Sequence, residues 1–250
     1  MDGTIYVDDH LLPGALDLLE LLKERDFPYV FLTNNSSKGG EEYLTRLAGL
    51  GIEAHREQIL TSGDATIDYL LTQTPHRSAY LVGTPGLAED FRRAGFRLTE
   101  DDPDCVVVGF DTGLTFQKLE DACHLLFAGK PYYATHPDRT CITARGLIPD
   151  IAAIIAACEA VTHRLPKVIG KPEAEMAQAG LHRLGSKAET TAILGDQLDT
   201  DMTMAQQSGI CGVLVMSGET TPEKLSKWPQ DSRPELIAEN AAEIVKWLRP

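Results

Sequence analysis

The 250 residues predict an α/β protein on a parallel sheet, in which one strand–helix series is interrupted by a second. Three observations carry this. Short apolar runs such as Tyr29–Leu32 and Val106–Val108 alternate with stretches of helical periodicity. The runs are continuous rather than half-polar, as in strands covered on both faces. Several of them stop abruptly in polar clusters, and no repeat or low-complexity tract competes with this reading.

The elements follow in order. Residues 13–25 predict a helix, with Pro13 at its start and Ala15, Leu18, Leu19 and Leu22 on one face. The run Tyr29–Leu32 predicts a strand ending in Thr33-Asn34-Asn35-Ser36, and residues 40–50 a helix closed by Gly51. A third helix is expected over 63–74. The second series has strands at 79–84, 105–110 and 131–135, with helices near 86–95 and 115–128 between them. A long helix over about 149–163 follows, and "KVIGKP" (167–172) leads into another with Pro172 near its first turn. "TAILGDQLDTD" (191–201) is a strand running into a carboxylate cluster. The helix after it closes at Gly209, and 212–218 is the next strand. Asn240 and Glu243 cap the last helix, whose Ile244, Trp247 and Leu248 form an inward stripe.

Composition narrows the function. A net charge of −14 argues against a nucleic-acid backbone as partner, which requires clustered Lys and Arg. No run reaches the 18 or so apolar residues of a membrane helix. No basic-then-apolar leader opens the sequence, so the expected location is the cytoplasm. The five cysteines (Cys105, Cys123, Cys141, Cys158, Cys211) are scattered and form no CxxC, which reads as reduced packing residues.

Four polar clusters stand at predicted strand ends, where α/β proteins place their chemistry. They are Asp2-Gly3-Thr4, Thr33-Asn34-Asn35, Lys171 within Gly170-Lys171-Pro172, and Gly195-Asp196 with Asp199 and Asp201. Each alone has an ordinary reading: a polar terminus, a helix cap or turn, a solvated lysine, acids opening a helix. Together, a hydroxyl with amides, a lysine and paired acids make a site for a phosphate and a magnesium ion. Lys171 neutralises phosphoryl oxygens as a point charge, Asp196 is a hard oxygen ligand for Mg²⁺, and Thr33 with nearby N–H groups holds the remaining oxygens.

"MDGT", "FLTNNSS", "GKP" and "GDQLDTD" resemble, in order, the four motifs of the haloacid dehalogenase (HAD) superfamily of phosphatases. The likeness spans essentially the whole chain and is nearest to the type IIA branch, the NagD-like or para-nitrophenyl phosphatases. "ATHPDRTC" and "GLIPDIAAIIAACEAVTHRLPKVIGKP" resemble that branch's cap and hinge. The resemblance implies a Rossmann-like core from 1–76 and 166–250, with an inserted α/β cap of the C2 type at 77–165. It implies Mg²⁺-dependent hydrolysis of small phosphomonoesters through an aspartyl-phosphate. It assigns Asp2 as general acid/base, with its backbone carbonyl a Mg²⁺ ligand. Thr33, Asn34 and Asn35 bind the phosphoryl group, Lys171 neutralises charge, and Asp196 and Asp201 serve the metal. Asp199 has two readings, a residue behind the metal ligands or a solvated charge. His136, Arg139 and Thr140 fall in the candidate cap loop, His136 as a structural residue or as a substrate contact. The partner is a small phosphorylated metabolite, and relatives allow a homodimer.

One departure matters. The family's first motif is Asp-x-Asp-Gly-Thr, and its nucleophile would stand immediately before Met1. The two carboxylates share a side because a strand repeats every two residues. The expectation is that these 250 residues lack both the attacking carboxylate and the central strand that carries it. About four buried apolar side chains at roughly 1.5–3 kcal/mol each would go with that strand, against a typical domain stability of about 5–15 kcal/mol. The alternatives to an enzyme are a non-catalytic relative that binds a phosphorylated metabolite, and a phospho-accepting receiver-like domain. The inserted second series argues against the receiver.

Overall fold

In the computed structural model, which describes residues 1–143 and 145–249, β1 (Tyr6–Val7) and β2 (His10–Leu11) form a hairpin ahead of α1 (Ala15–Glu24). Then come β3 (Phe31–Thr33), α2 (Gly40–Gly49), β4 (Ile59–Thr61), α3 (Ser62–Gln73), β5 (Ser78–Val82), α4 (Pro85–Arg93), β6 (Arg97–Leu98), β7 (Cys105–Val108) and α5 (Phe116–Phe127). The chain continues through β8 (Tyr132–Ala134), β9 (Thr140–Thr143), β10 (Gly146–Pro149), α6 (Ile151–Thr162), β11 (Lys167–Val168) and α7 (Ala174–Leu184). It ends with β12 (Ala192–Gly195), a π-type turn (Leu198–Met202), α8 (Thr203–Ser208), β13 (Cys211–Val215), α9 (Pro222–Lys227), β14 (Leu236–Ala238) and α10 (Ala241–Leu248).

Two compact units result. The first holds Met1–Leu32, Arg46–Ile59 and Lys171–Pro250, and the second Thr33–Thr45 and Leu60–Gly170. This grouping differs from the expected division at 76/77 and 165/166. Residues 33–45, 60–76 and 166–170 pack with the 77–165 segment. The reasons are local: Asp90 accepts from the Gly40 N–H at 3.1 Å, and Ile67 and Leu70 of α3 share a core with Leu87 and Phe91 of α4.

In the second unit, β11-β8-β7-β5-β6 form one parallel sheet. Alternation by two residues divides its strands between two cores. Tyr80, Val82, Val106, Val108, Tyr132 and Ala134 face α5 and α6. Ala79, Cys105, Val107 and Tyr133 face α3 and α4, where Phe91 and Phe96 meet edge-on at 5.3 Å. Both faces are apolar, hence the continuous runs in the sequence. The helices start on side-chain caps: Thr84, Thr115 and Asp150 accept first-turn N–H groups of α4, α5 and α6. Thr61 and Asp64 form a reciprocal box at α3.

In the first unit, β12, β13 and β14 form a separate parallel sheet. Val213 and Val215 pack on α1 and α10, while Leu214 packs on Leu198 and Met202. Asn240 accepts from the Ala242 N–H at 3.0 Å, and Glu243 reaches back to the Glu239 N–H at 2.7 Å. β3 pairs with β4, and the boundary between the units falls inside both strands. Among the described residues no helix is long and apolar enough to cross a membrane.

Two predictions test this packing. Phe91 is fully buried while Phe116 is 80% exposed, so Phe91→Ala should cost about 3–5 kcal/mol and Phe116→Ala less than about 0.5 kcal/mol in chemical denaturation. Equal losses would contradict the core assignment. The second concerns Asp104, which accepts the Arg77 and Ser78 N–H groups at 2.8 Å each. Those bonds hold its carboxyl below the usual range. A depressed carboxylate contributes stability above its unfolded pKa and loses it as pH falls through the folded one. Asp104→Asn should therefore melt lower than the wild type at about pH 7, with the gap closing on the acid side of the ordinary carboxylate range. Melts across that range should show the convergence.

Candidate functional site

The acidic end of β12 is shaped by what its glycines omit. A Cβ at Gly195 would stand 2.2 Å from the Asp201 carboxyl carbon, and one at Gly218 would stand 2.1 Å from Asp196 Oδ2. Both positions therefore need glycine, so that two carboxylates can lie against backbone. The π-type turn after β12 carries Asp201 back toward Gly195, and the Gln197 N–H donates to Asp201 Oδ2 at 3.3 Å.

Asp196 is 5% and Asp201 4% exposed. Asp196 accepts from the Glu219 N–H at 2.8 Å and from Thr4 Oγ1 at 3.3 Å. Burial, and then the neighbouring Asp201 charge, push the Asp196 carboxyl above its ordinary value, against the Glu219 hydrogen bond and Lys171. Lys171 Nζ donates to Asp201 Oδ1 at 2.6 Å, and both side chains are nearly excluded from solvent. Lys171 lies ahead of α7, which begins at Ala174, two residues past Pro172. Two buried carboxylates and one ammonium thus converge.

Asp2 takes a different posture. It forms an isolated bridge with Tyr6 rather than ending a strand, and its side chain is 60% exposed, 3.9 Å from Arg46 Nη2. The Arg46 guanidinium lies over the Tyr6 ring at 4.7 Å and donates to the Asp8 carbonyl at 2.8 Å. Burial first, then Asp2, raises the Tyr6 phenol. The residues after Asp2 belong to the acidic cluster: Ser217 Oγ donates to the Gly3 carbonyl at 2.8 Å, and Thr4 to Asp196. Asp199 points elsewhere, ion-paired with Lys224.

In the second unit Thr33 Oγ1 accepts from the Asn35 N–H at 3.3 Å. Asn34 donates its carboxamide N–H to both Asp138 oxygens, at 3.1 and 3.3 Å. Asn35 Oδ1 accepts from the Ser37 N–H and hydroxyl at 2.9 and 2.7 Å. The Asn35 carboxamide oxygen thus serves its own loop, whereas the Asn34 carboxamide reaches across to Asp138. His136 is fully buried between Thr135 and Asp150, a structural placement.

Two groupings have the donors to hold a cation. Asp196 and Asp201 offer carboxylate oxygens, the donor set of a hard divalent ion. His136, Asp138 and Asp150 bring ligand atoms within 4.8 Å of one another, but Asp138 is bonded to Asn34, and Asp150 to His136 and the Ile151 N–H. Sequence reasoning assigned no role to Thr4, Arg46 or the Ser217-Gly218-Glu219 turn. The turn overlaps the end of the strand expected over 212–218, which stops at Val215, and that strand-end position was its signal.

Known proteins are similar to this chain over nearly its whole length. A model of haloacid dehalogenase-like hydrolases matches residues 1–97, and a HAD-hydrolase-like model matches residues 168–244. Dihydroxyacetone phosphatase of Corynebacterium glutamicum is 31% identical over 98% of this chain and 88% of its own. Ribonucleotide monophosphatase NagD of Escherichia coli K12 is 32% identical over 98% of this chain and 95% of its own. The crystal structure of 4-nitrophenylphosphatase from Thermotoga maritima superposes with a TM-score of 0.95 at 41% identity, covering 100% of this chain and 95% of that one. The chain is a member of the haloacid dehalogenase superfamily, in its NagD-like branch.

Proposed function

We propose that the protein is a Mg²⁺-dependent phosphatase acting on small phosphomonoesters, such as sugar or nucleotide phosphates, through an aspartyl-phosphate. The observation that carries this reading is the convergence of Asp196, Asp201 and Lys171 in one solvent-poor cluster. The oxygen-only donors fit a hard divalent cation, with Asp196, Asp201 and the Asp2 backbone carbonyl as its protein ligands. Magnesium, when bound, would supply positive charge to the phosphoryl oxygens.

The chain's own residues carry the rest. Lys171 places a charge where negative charge collects on the phosphoryl group. Asp201 fixes that ammonium, at 2.6 Å. Asp2, exposed and beside Arg46, protonates the leaving oxygen and then takes a proton from the attacking water. Thr33 and the N–H groups around Asn34 and Asn35 hold phosphoryl oxygens. The aspartyl-phosphate would form on the carboxylate of the family's first motif, two residues ahead of Asp2 on the same strand face.

Para-nitrophenyl phosphate turnover tests this. Residues 1–250 alone should be slower by a factor on the order of 10⁴–10⁶ than the same chain extended before Met1 by an apolar strand ending in Asp. Changing the added Asp to Asn should remove the gain, and EDTA should silence the active form. Full turnover by residues 1–250 would pass the role to another carboxylate, such as Asp8 or Asp9. Phosphate binding without turnover in the extended chain would favour the non-catalytic alternative.

The metal assignment has its own test. Asp196→Asn keeps the shape and a hydrogen-bonding amide but removes a charge that burial and Asp201 penalise. The variant should melt higher than the wild type without metal. Calorimetric Mg²⁺ affinity should fall by ~10–100-fold or more, since even outer partners of metal ligands cost that much. Unchanged Mg²⁺ affinity would remove Asp196 from the ligand set.

A further inference from the structure

We propose that His136 is a positioning residue for the segment Thr33–Ser36, acting through a directed chain of buried hydrogen bonds; the proposal rests on the reading of that segment as phosphoryl-binding. The chain begins at the Phe110 N–H, which donates to Ser36 Oγ at 3.0 Å. Ser36 Oγ lies 2.9 Å from Thr135 Oγ1, which lies 2.9 Å from His136 Nδ1. His136 Nε2 lies 3.1 Å from Asp150 Oδ1, and that oxygen also accepts the Ile151 N–H at 2.6 Å. Ser36, Thr135 and His136 are fully buried, and Asp150 is 4% exposed.

The two ends dictate the direction. An amide N–H can only donate, so Phe110 gives to Ser36. A carboxylate can only accept, so His136 gives from Nε2. The Ser36 hydroxyl hydrogen then goes to Thr135, and the Thr135 hydrogen to Nδ1, which must be a bare acceptor. A proton on Nδ1 would leave one of the two buried hydroxyls, Thr135 or Ser36, receiving two hydrogen bonds with no acceptor in the chain for its own hydrogen. One tautomer of one imidazole therefore sets the orientation of every member.

The same ring borders the grip on Asn34. Ser62, at the start of α3, is fully buried and donates to the Asn34 carbonyl, with its Oγ 3.4 Å from His136 Nδ1. Asn34 is held at its side chain by Asp138, two residues beyond His136. Segment 34–36 is thus fixed at the Asn34 carbonyl by Ser62, at the Asn34 carboxamide by Asp138, and at the Ser36 hydroxyl by Phe110 and Thr135, with the His136 ring next to Ser62 and Thr135. Phosphoryl oxygens demand N–H groups placed to a few tenths of an ångström, and this lattice supplies the placement.

The test uses residues 1–250 and inorganic phosphate as probe. Nitrogen-15 NMR of the wild-type imidazole should show the proton on Nε2 and an unprotonated Nδ1. Thr135→Val, which deletes the hydroxyl but keeps the shape, should speed amide exchange at residues 34–36 about tenfold and weaken phosphate binding to a similar degree, the equilibrium scale of one buried hydrogen bond. His136→Leu should do the same, and Thr135→Ser should restore both. A proton on Nδ1 in the wild type, or unchanged exchange at 34–36 in folded Thr135→Val, would overturn the proposal, as would faster exchange with phosphate affinity intact. Failure of the wild type to bind phosphate would count against the proposed function instead, while tautomer and exchange still decide whether His136 positions the segment. If both variants unfold, the wild-type tautomer decides alone.

Discussion

Burying a lysine beside two aspartates is expensive, and the first unit is arranged around keeping that cost tolerable. Each ion taken out of water costs several kcal/mol after relaxation, and only close contact with further hydrogen bonds offsets it. Lys171 reaches Asp201 at 2.6 Å. The backbone answers the remaining oxygens, with the Gln197 N–H on Asp201 and the Glu219 N–H on Asp196. Gly195 and Gly218 exist because any Cβ there would strike a carboxylate. The ion pair thus dictates the residues after two strands, β12 and β13. Without Lys171, two like charges would face each other with their closest ion-pair partner gone.

Both units place polar chemistry at the carboxyl ends of parallel strands, by different means. In the first unit the ends of β12 and β13 carry charge. In the second, Phe110 follows β7, and Thr135 and His136 follow β8, where hydroxyls and an imidazole lead to one buried carboxylate, Asp150. The contrast follows from burial. A charge can sit in low dielectric only with a partner charge or several donors. A hydroxyl chain needs one donor and one acceptor per link, so Ser36 and Thr135 can be fully buried. Charge suits a site that must attract ions, and a hydroxyl relay suits one that must keep its shape.

Much of this fold was legible because its core is regular. Tyr80 and Val82, or Val106 and Val108, alternate with neighbours that are also apolar, so each strand appears as a short run between helical patterns. The two-residue strands of the β1–β2 hairpin, the β9–β10 hairpin and β14 were not legible. β1 and β2 have two residues each, too short to show alternation, while β10 and β14 leave Leu147, Leu236 and Ile237 exposed. α9 had a signal in Thr221-Pro222, a cap followed by a proline at the first turn. Within the site, Asp196, Asp201 and Lys171 were readable as types of residue in an order. The hydrogen bond from Asn34 to Asp138 was not, since 104 positions separate them and nothing local marks either one. The resemblance assigned Asn34 to phosphate, whereas the fold gives its carboxamide to a carboxylate. Long-range polar pairs escape periodicity because the fold, not the local chain, brings them together.

Charge balance explains why a cation and a phosphate belong together here. The chain carries a net charge of −14, so its average field repels phosphorylated metabolites. The buried cluster does not reverse this alone: two carboxylates against one ammonium leave it negative. Burial first, and then the Asp201 charge, raise the Asp196 carboxyl, and the same negative excess makes the cluster favourable for a divalent cation. Asp196 and Asp201 would hold the proposed divalent cation, whose charge would turn the local sign positive, and Lys171 would then be able to act on phosphoryl oxygens as well as on Asp201. Under the proposed function, electrostatics would order binding, cation before phosphate. An acidic surface, which would otherwise oppose an anionic substrate, serves the first of the two steps.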